Sequence, residues 1–152
     1  MDKDFDQFAD DMQKAILDDA RRIYSEKVID HFLRPRNTGG IEGADGFGKI
    51  KGPCGDTMYI YLTVDGTRIR NATFMTDGCG TTIACGSAVT DLVKGKEIRE
   101  ASRIKYIHIL EALGGLPESD IHCSVLAADT LRAAIKNYRM AQRSKGKDEG
   151  EF

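Results

Sequence analysis

The chain holds 152 residues, 41% apolar and 30% charged, which suits one domain (1–152) with a real buried core. Twenty-two Lys and Arg stand against 24 acids, a net charge of −2, so no field gathers a polyanion and a nucleic-acid role is disfavoured. No apolar run approaches the roughly 20 residues that span a bilayer, which argues against a membrane role. Met1-Asp2-Lys3-Asp4 is too acidic for a secretory or transit signal, which points to the cytoplasm, where four cysteines stay reduced.

Phe5, Phe8, Ala9, Met12, Ile16 and Leu17 recur at helical spacing among seven aspartates within residues 1–20. That pattern predicts an acidic amphipathic helix running on through Tyr24, Val28 and Phe32. Residues 1–23 form an N-terminal extension ahead of a core at 24–143. Arg34-Pro35-Arg36-Asn37-Thr38-Gly39-Gly40 stops the helix, because proline disfavours helix in the residue before it. Glycine-rich 39–56 reads as a mobile loop. Met58, Ile60, Leu62 and Val64 alternate with Tyr59, Tyr61 and Thr63, Asp65-Gly66 makes a turn, and Ile69–Met75 returns, a β-hairpin. Thr81–Val93 reads as a helix, followed by shorter ones near 97–103 and 106–113. A long final helix covers Ser124–Arg143, with a flexible polar tail at 144–152. Strands together and helices around them predict an α+β fold: a small antiparallel sheet of about three strands covered by helices.

Four thiols in a reducing compartment ask for a metal or redox explanation. Cys54, Cys79, Cys85 and Cys123 show no two-residue spacing, so zinc-ribbon and thioredoxin patterns are absent. Three of them sit at element ends: Cys54 in Gly52-Pro53-Cys54-Gly55-Asp56, Cys79 between Gly78 and Gly80, Cys123 after His122. Helix N-termini beside Cys79 and Cys123 favour the thiolate, and flanking glycines leave Cys54 and Cys79 uncrowded. Thiolates, an imidazole and a carboxylate suit zinc or iron. Cys85, inside a helix among small residues, reads as packing. His31 and His108, on helical stretches, read as structural or exposed.

Tyr24-Ser25-Glu26-Lys27-Val28-Ile29-Asp30-His31, then Pro35-Arg36-Asn37, resembles the opening of the IscU/NifU N-terminal family of iron–sulfur cluster assembly scaffolds. Cys54-Gly55-Asp56, Gly78-Cys79-Gly80 and Ile121-His122-Cys123-Ser124 are similar to that family's three ligand motifs, in the same order. The resemblance implies a non-enzymatic scaffold. It would take sulfur from a cysteine desulfurase and iron from a donor, build a transient 2Fe–2S cluster, and pass it to apo iron–sulfur proteins. It places the cluster on Cys54, Cys79 and Cys123, puts Asp56 and His122 at or beside the remaining position, and makes Cys123 the persulfide acceptor. A carboxylate is a harder partner than a thiolate for iron–sulfide, so such a cluster is labile. Sharing it between two chains would give a cluster-bridged homo-oligomer. Leu116-Pro117-Glu118-Ser119-Asp120 stands where the family carries Leu-Pro-Pro-Val-Lys, a departure that speaks against recognition by an Hsp70-type chaperone.

Two rival readings use the same residues. One is a zinc-dependent sulfurtransferase or desulfurase activator, with zinc on three thiolates and Asp56. The other is a structural zinc module that only binds other proteins, which would unfold when emptied.

Overall fold

The structure, a computed structural model, describes the backbone of residues 2–150 and the side chains of 3–145. The chain runs α1 (Asp2–Ile23), α2 (Glu26–Leu33), β1 (Gly46–Lys51), β2 (Thr57–Asp65), β3 (Arg68–Thr76), α3 (Gly80–Val93), α4 (Ile98–Ala101), α5 (Tyr106–Leu113), a 3-10 turn (Glu118–Asp120) and α6 (Ile121–Gly150). The α+β expectation holds: an antiparallel sheet ordered β1-β2-β3 lies under helices.

The continuous first helix is corrected to two. Ser25 has extended backbone and its hydroxyl accepts from the Val28 amide, an N-cap that starts α2 afresh. The same hydroxyl donates to the Leu113 carbonyl, tying α2 to the end of α5. Val28 and Ile29 are buried, whereas Phe5, Phe8, Met12 and Ile16 of α1 stay exposed.

The glycine-rich stretch is also corrected, since part of it is β1. Gly46 and Gly48 let this edge strand lie against the backbone of α6: a Cβ on Gly46 would meet the Ala134 carbonyl oxygen at 2.7 Å, and one on Gly48 the Ala134 amide nitrogen at 2.7 Å. Only glycine permits that approach. On the inner face Met58, Ile60, Leu62, Ile69, Ala72 and Phe74 meet Ala84, Cys85, Ala88 and Val89 of α3 and Leu126, Ala127, Leu131, Ala134 and Ile135 of α6. The outer face carries Phe47 packed on Tyr59 and Tyr61, ring centroids 6.2 and 5.2 Å apart.

The last helix starts and ends further out than the pattern of its apolar residues, from Ile121 to Gly150. Glu151 and Phe152 of the expected tail lie outside the described residues. Antiparallel register sets Lys51 opposite Thr57 and Met58 opposite Thr76. The β1–β2 turn and the exit of β3 into α3 therefore share one end of the sheet, and the cysteine motifs gather there.

Candidate metal centre

Cys54 sits at the tip of the β1–β2 hairpin. The Gly55 amide donates to the Gly52 carbonyl at 3.0 Å and the Gly52 amide to that of Asp56 at 2.7 Å. This closes a β-turn with Pro53 and Cys54 at its centre, and Gly55 follows at φ 90°, a conformation suited to glycine. The Cys54 thiol is exposed. Asp56 lies where this turn enters β2.

Cys79 is the N-cap of α3, with extended backbone and no side-chain capping bond. Its sulfur is exposed beside the free amides of the helix start, a partial positive charge. Both neighbouring glycines are steric requirements. A Cβ on Gly78 would stand 2.8 Å from Asp56 Oδ2 and from Thr82 Cβ, and one on Gly80 would stand 2.8 Å from the Phe32 ring.

Cys123 is the third residue of α6 and not, as the sequence reading had it, a residue ahead of the helix. It is 2% exposed. The expected easy thiolate is corrected too. Burial pushes the Cys123 thiol up to about 11, the negative groups Cys79, Asp120 and Asp56 add to this, and the Thr82 hydroxyl opposes it. His122 Nε2 lies 3.6 Å from its sulfur. Cys85 is fully buried in the core, and burial pushes its thiol far up as well, in keeping with packing.

What joins these side chains is a residue the sequence reading passed over. The Thr82 hydroxyl donates to Asp56 Oδ2 at 2.9 Å, lies 3.4 Å from Cys123 Sγ, and lies 3.8 Å from Cys79 Sγ. Asp56 from β2, Cys79 from the α3 N-cap and Cys123 from α6 thus surround one hydroxyl. Cys54 is outside the set that Thr82 touches. Among the described residues no group of three or more His, Cys, Asp or Glu closes on a single ion position. The donors converge without closing, and soft sulfur donors beside one carboxylate fit zinc or an iron–sulfur cargo chemically. Helical geometry held the clue to Thr82, because a residue three after the N-cap lies over it.

Asp120 was passed over as well, read only as a departure from a motif. Its Oδ2 accepts from Tyr24 Oη at 2.8 Å and from Thr81 Oγ1 at 3.4 Å. One carboxylate thereby pins the 3-10 turn ahead of Cys123 to the α1–α2 junction and the start of α3. The two other histidines have local partners: His31 Nδ1 is 2.7 Å from Ser87 Oγ, and His108 Nδ1 accepts from the Lys105 amide.

A family model described as NifU-like N terminal domain matches residues 23–145. The iron-sulfur cluster assembly scaffold protein IscU 1 of Archaeoglobus fulgidus is 52% identical over 117 residues, 76% of each chain. The Escherichia coli K12 protein of the name IscU is 46% identical over 127 residues, 80% of this chain and 98% of its own. In three dimensions the N-terminal NifU-like protein of Brucella abortus superposes with a TM-score of 0.60 at 18% identity, over 78% of this chain and 95% of that one, a likeness of fold. With a family match over most of its length and relatives near half identity, the chain belongs to the NifU-like N-terminal domain family, whose curated members include the IscU cluster-assembly scaffolds.

Proposed function

We propose that this protein is a scaffold for iron–sulfur cluster assembly, a carrier and not an enzyme, working in the cytoplasm. A cysteine desulfurase supplies sulfur and an iron donor supplies iron. An electron donor such as a dithiol or a reduced ferredoxin-type protein supplies the electrons that, with those of ferrous iron, reduce each persulfide sulfur to sulfide. A labile 2Fe–2S cluster forms on Cys54, Cys79 and Cys123 before passing to apo-proteins. The carrying observation is the gathering of Asp56, Cys79 and Cys123 around Thr82 at one sheet end, in a chain whose relatives bear the scaffold name.

Asp56 is the favoured fourth donor, because its Oδ2 faces the same hydroxyl as the two sulfurs, while His122 flanks Cys123. Cys123 receives the persulfide sulfur. Its thiolate attacks the outer sulfur, and the broken S–S bond leaves its electron pair on the desulfurase cysteine. A thiol held near 11 and buried makes this step depend on a partner opening the site. Cys54 joins by movement of the hairpin tip.

The test is anaerobic reconstitution with ferrous iron, cysteine, a cysteine desulfurase and a dithiol reductant, followed by visible absorption and Mössbauer spectra. Alanine at Cys54, Cys79 or Cys123 abolishes or destabilises the cluster, and Cys85→Ala leaves it largely intact. A persulfide that leaves Cys123 for small thiols, with no cluster ever forming, would replace this reading by zinc-dependent sulfur transfer.

A further inference from the structure

Thr82 is fully buried, and its hydroxyl behaves unlike those of the buried helical residues Thr90 and Thr130. Thr90 donates to the Gly86 carbonyl and Thr130 to the Leu126 carbonyl, each at 2.7 Å, four residues back in its own helix. That back-bond is the ordinary resting place for such a hydroxyl. Thr82 instead points its proton across to Asp56 Oδ2 from β2, with Cys123 Sγ of α6 as the second acceptor in reach. Three further features hold it there. Its β-branch restricts rotation about the first side-chain bond. Ala84, Cys85, Ala88 and Val89 seat α3 in the core. Gly78 leaves the passage between Thr82 and Asp56 open, since any Cβ there would collide with both.

We propose that Thr82 is a positioning residue of the metal-loading site: one buried hydroxyl sets the spacing of Asp56, Cys79 and Cys123, which arrive on three different elements. The inference rests on the scaffold reading to the extent that those three side chains bind metal. Asp56 engages Thr82 through Oδ2, which leaves Oδ1 for an ion. A ligating carboxylate is commonly fixed by an outer hydrogen bond of this kind, and loss of such a partner lowers metal affinity about 10- to 100-fold.

Co2+ titration of the full chain under reducing conditions tests this, with the visible d–d and thiolate bands reporting affinity and ligand geometry. Thr82→Val, equal in shape but without the donor, weakens Co2+ binding about 10-fold or more and alters the d–d envelope. Thr82→Ser restores both. Thr82→Ala, which adds no apolar group, shows the same loss and guards against misfolding of the valine variant. With Asp56→Ala already present, Thr82→Val costs clearly less than it does alone. Parent-like binding by Thr82→Val and Thr82→Ala, failure of serine to rescue, or an undiminished loss in the Asp56→Ala background would each overturn the role of Thr82. Cys79→Ser and Cys123→Ser separate the two levels. If they bind Co2+ as the parent does, the site itself is wrong; if they lose binding while Thr82→Val does not, only the role of Thr82 falls.

Discussion

Replacing Gly78 by alanine places one methyl group between the two parts that the site needs in contact. Gly78 is not among the positive-φ residues, so alanine adopts its backbone freely and the effect is steric alone. The new carbon would lie 2.8 Å from Asp56 Oδ2, Thr82 Cβ and Thr82 Cγ2, where ordinary contact begins at 3.4 Å. Thr82 is fixed in a fully buried helix turn, whereas Asp56 is a half-buried side chain able to rotate. The carboxylate therefore swings out and gives up the bond from Thr82. Overpacking of one methyl with loss of one hydrogen bond costs about 2 kcal/mol. For a chain of this size that lowers Tm by about 4–8 °C. Thermal unfolding of metal-free protein by circular dichroism reads the first effect, and Co2+ competition reads the second, a loss near that of Thr82→Val. A Gly78→Ala protein that melts with the parent and binds Co2+ equally well would refute the link between Gly78, Asp56 and Thr82.

Thiol alkylation at pH 8 orders the four cysteines: exposed Cys54 and Cys79 react first. Cys123 and Cys85, both buried and held up as thiols, are labelled mainly after unfolding, as peptide mass spectrometry of timed samples shows. Stability near neutrality carries a histidine signature. Burial, with help from the Arg36 charge, lowers the His31 pKa from 6.5, while Asp30 and Asp91 oppose the shift. Below pH 6.5 the unfolded chain binds a proton that the folded one rejects, so this contribution is present above that pH and lost as pH falls, levelling off below the folded pKa. Urea unfolding of the parent and of His31→Asn across pH 5–8 shows this slope in the parent and its reduction in the variant.

The parts of the fold with a short repeat were legible in sequence. Met58, Ile60 and Leu62 alternate because one face of β2 is fully buried, and Asp65-Gly66 joins β2 to β3 as a turn pair should. β1 was hidden because its glycines answer to the helix behind them. Gly46 and Gly48 are small for the sake of Ala134, a contact about 90 residues away in sequence that no local pattern records. The break between α1 and α2 was hidden by a stripe that stays in phase across Tyr24-Ser25, although serine at an N-cap marks it. The candidate ligand residues were legible as motifs. Their spacing was not, because Thr82 and Asp120 act through contacts 26 to 96 residues distant.

The turn that bears Cys54 closes on itself, through the bonds between Gly52, Gly55 and Asp56, and meets the helices only at its base, where Thr82 of α3 bonds Asp56 and Leu126 of α6 lies beside Gly52. It is a finger that extends past the last β1–β2 pair, Lys51 with Thr57. In the scaffold reading, an acceptor that grips this finger draws one sulfur aside while Cys79 and Cys123 keep their seats on the helices. The cargo would then change hands stepwise, one bond at a time, and the emptied vessel would keep its shape for the next load.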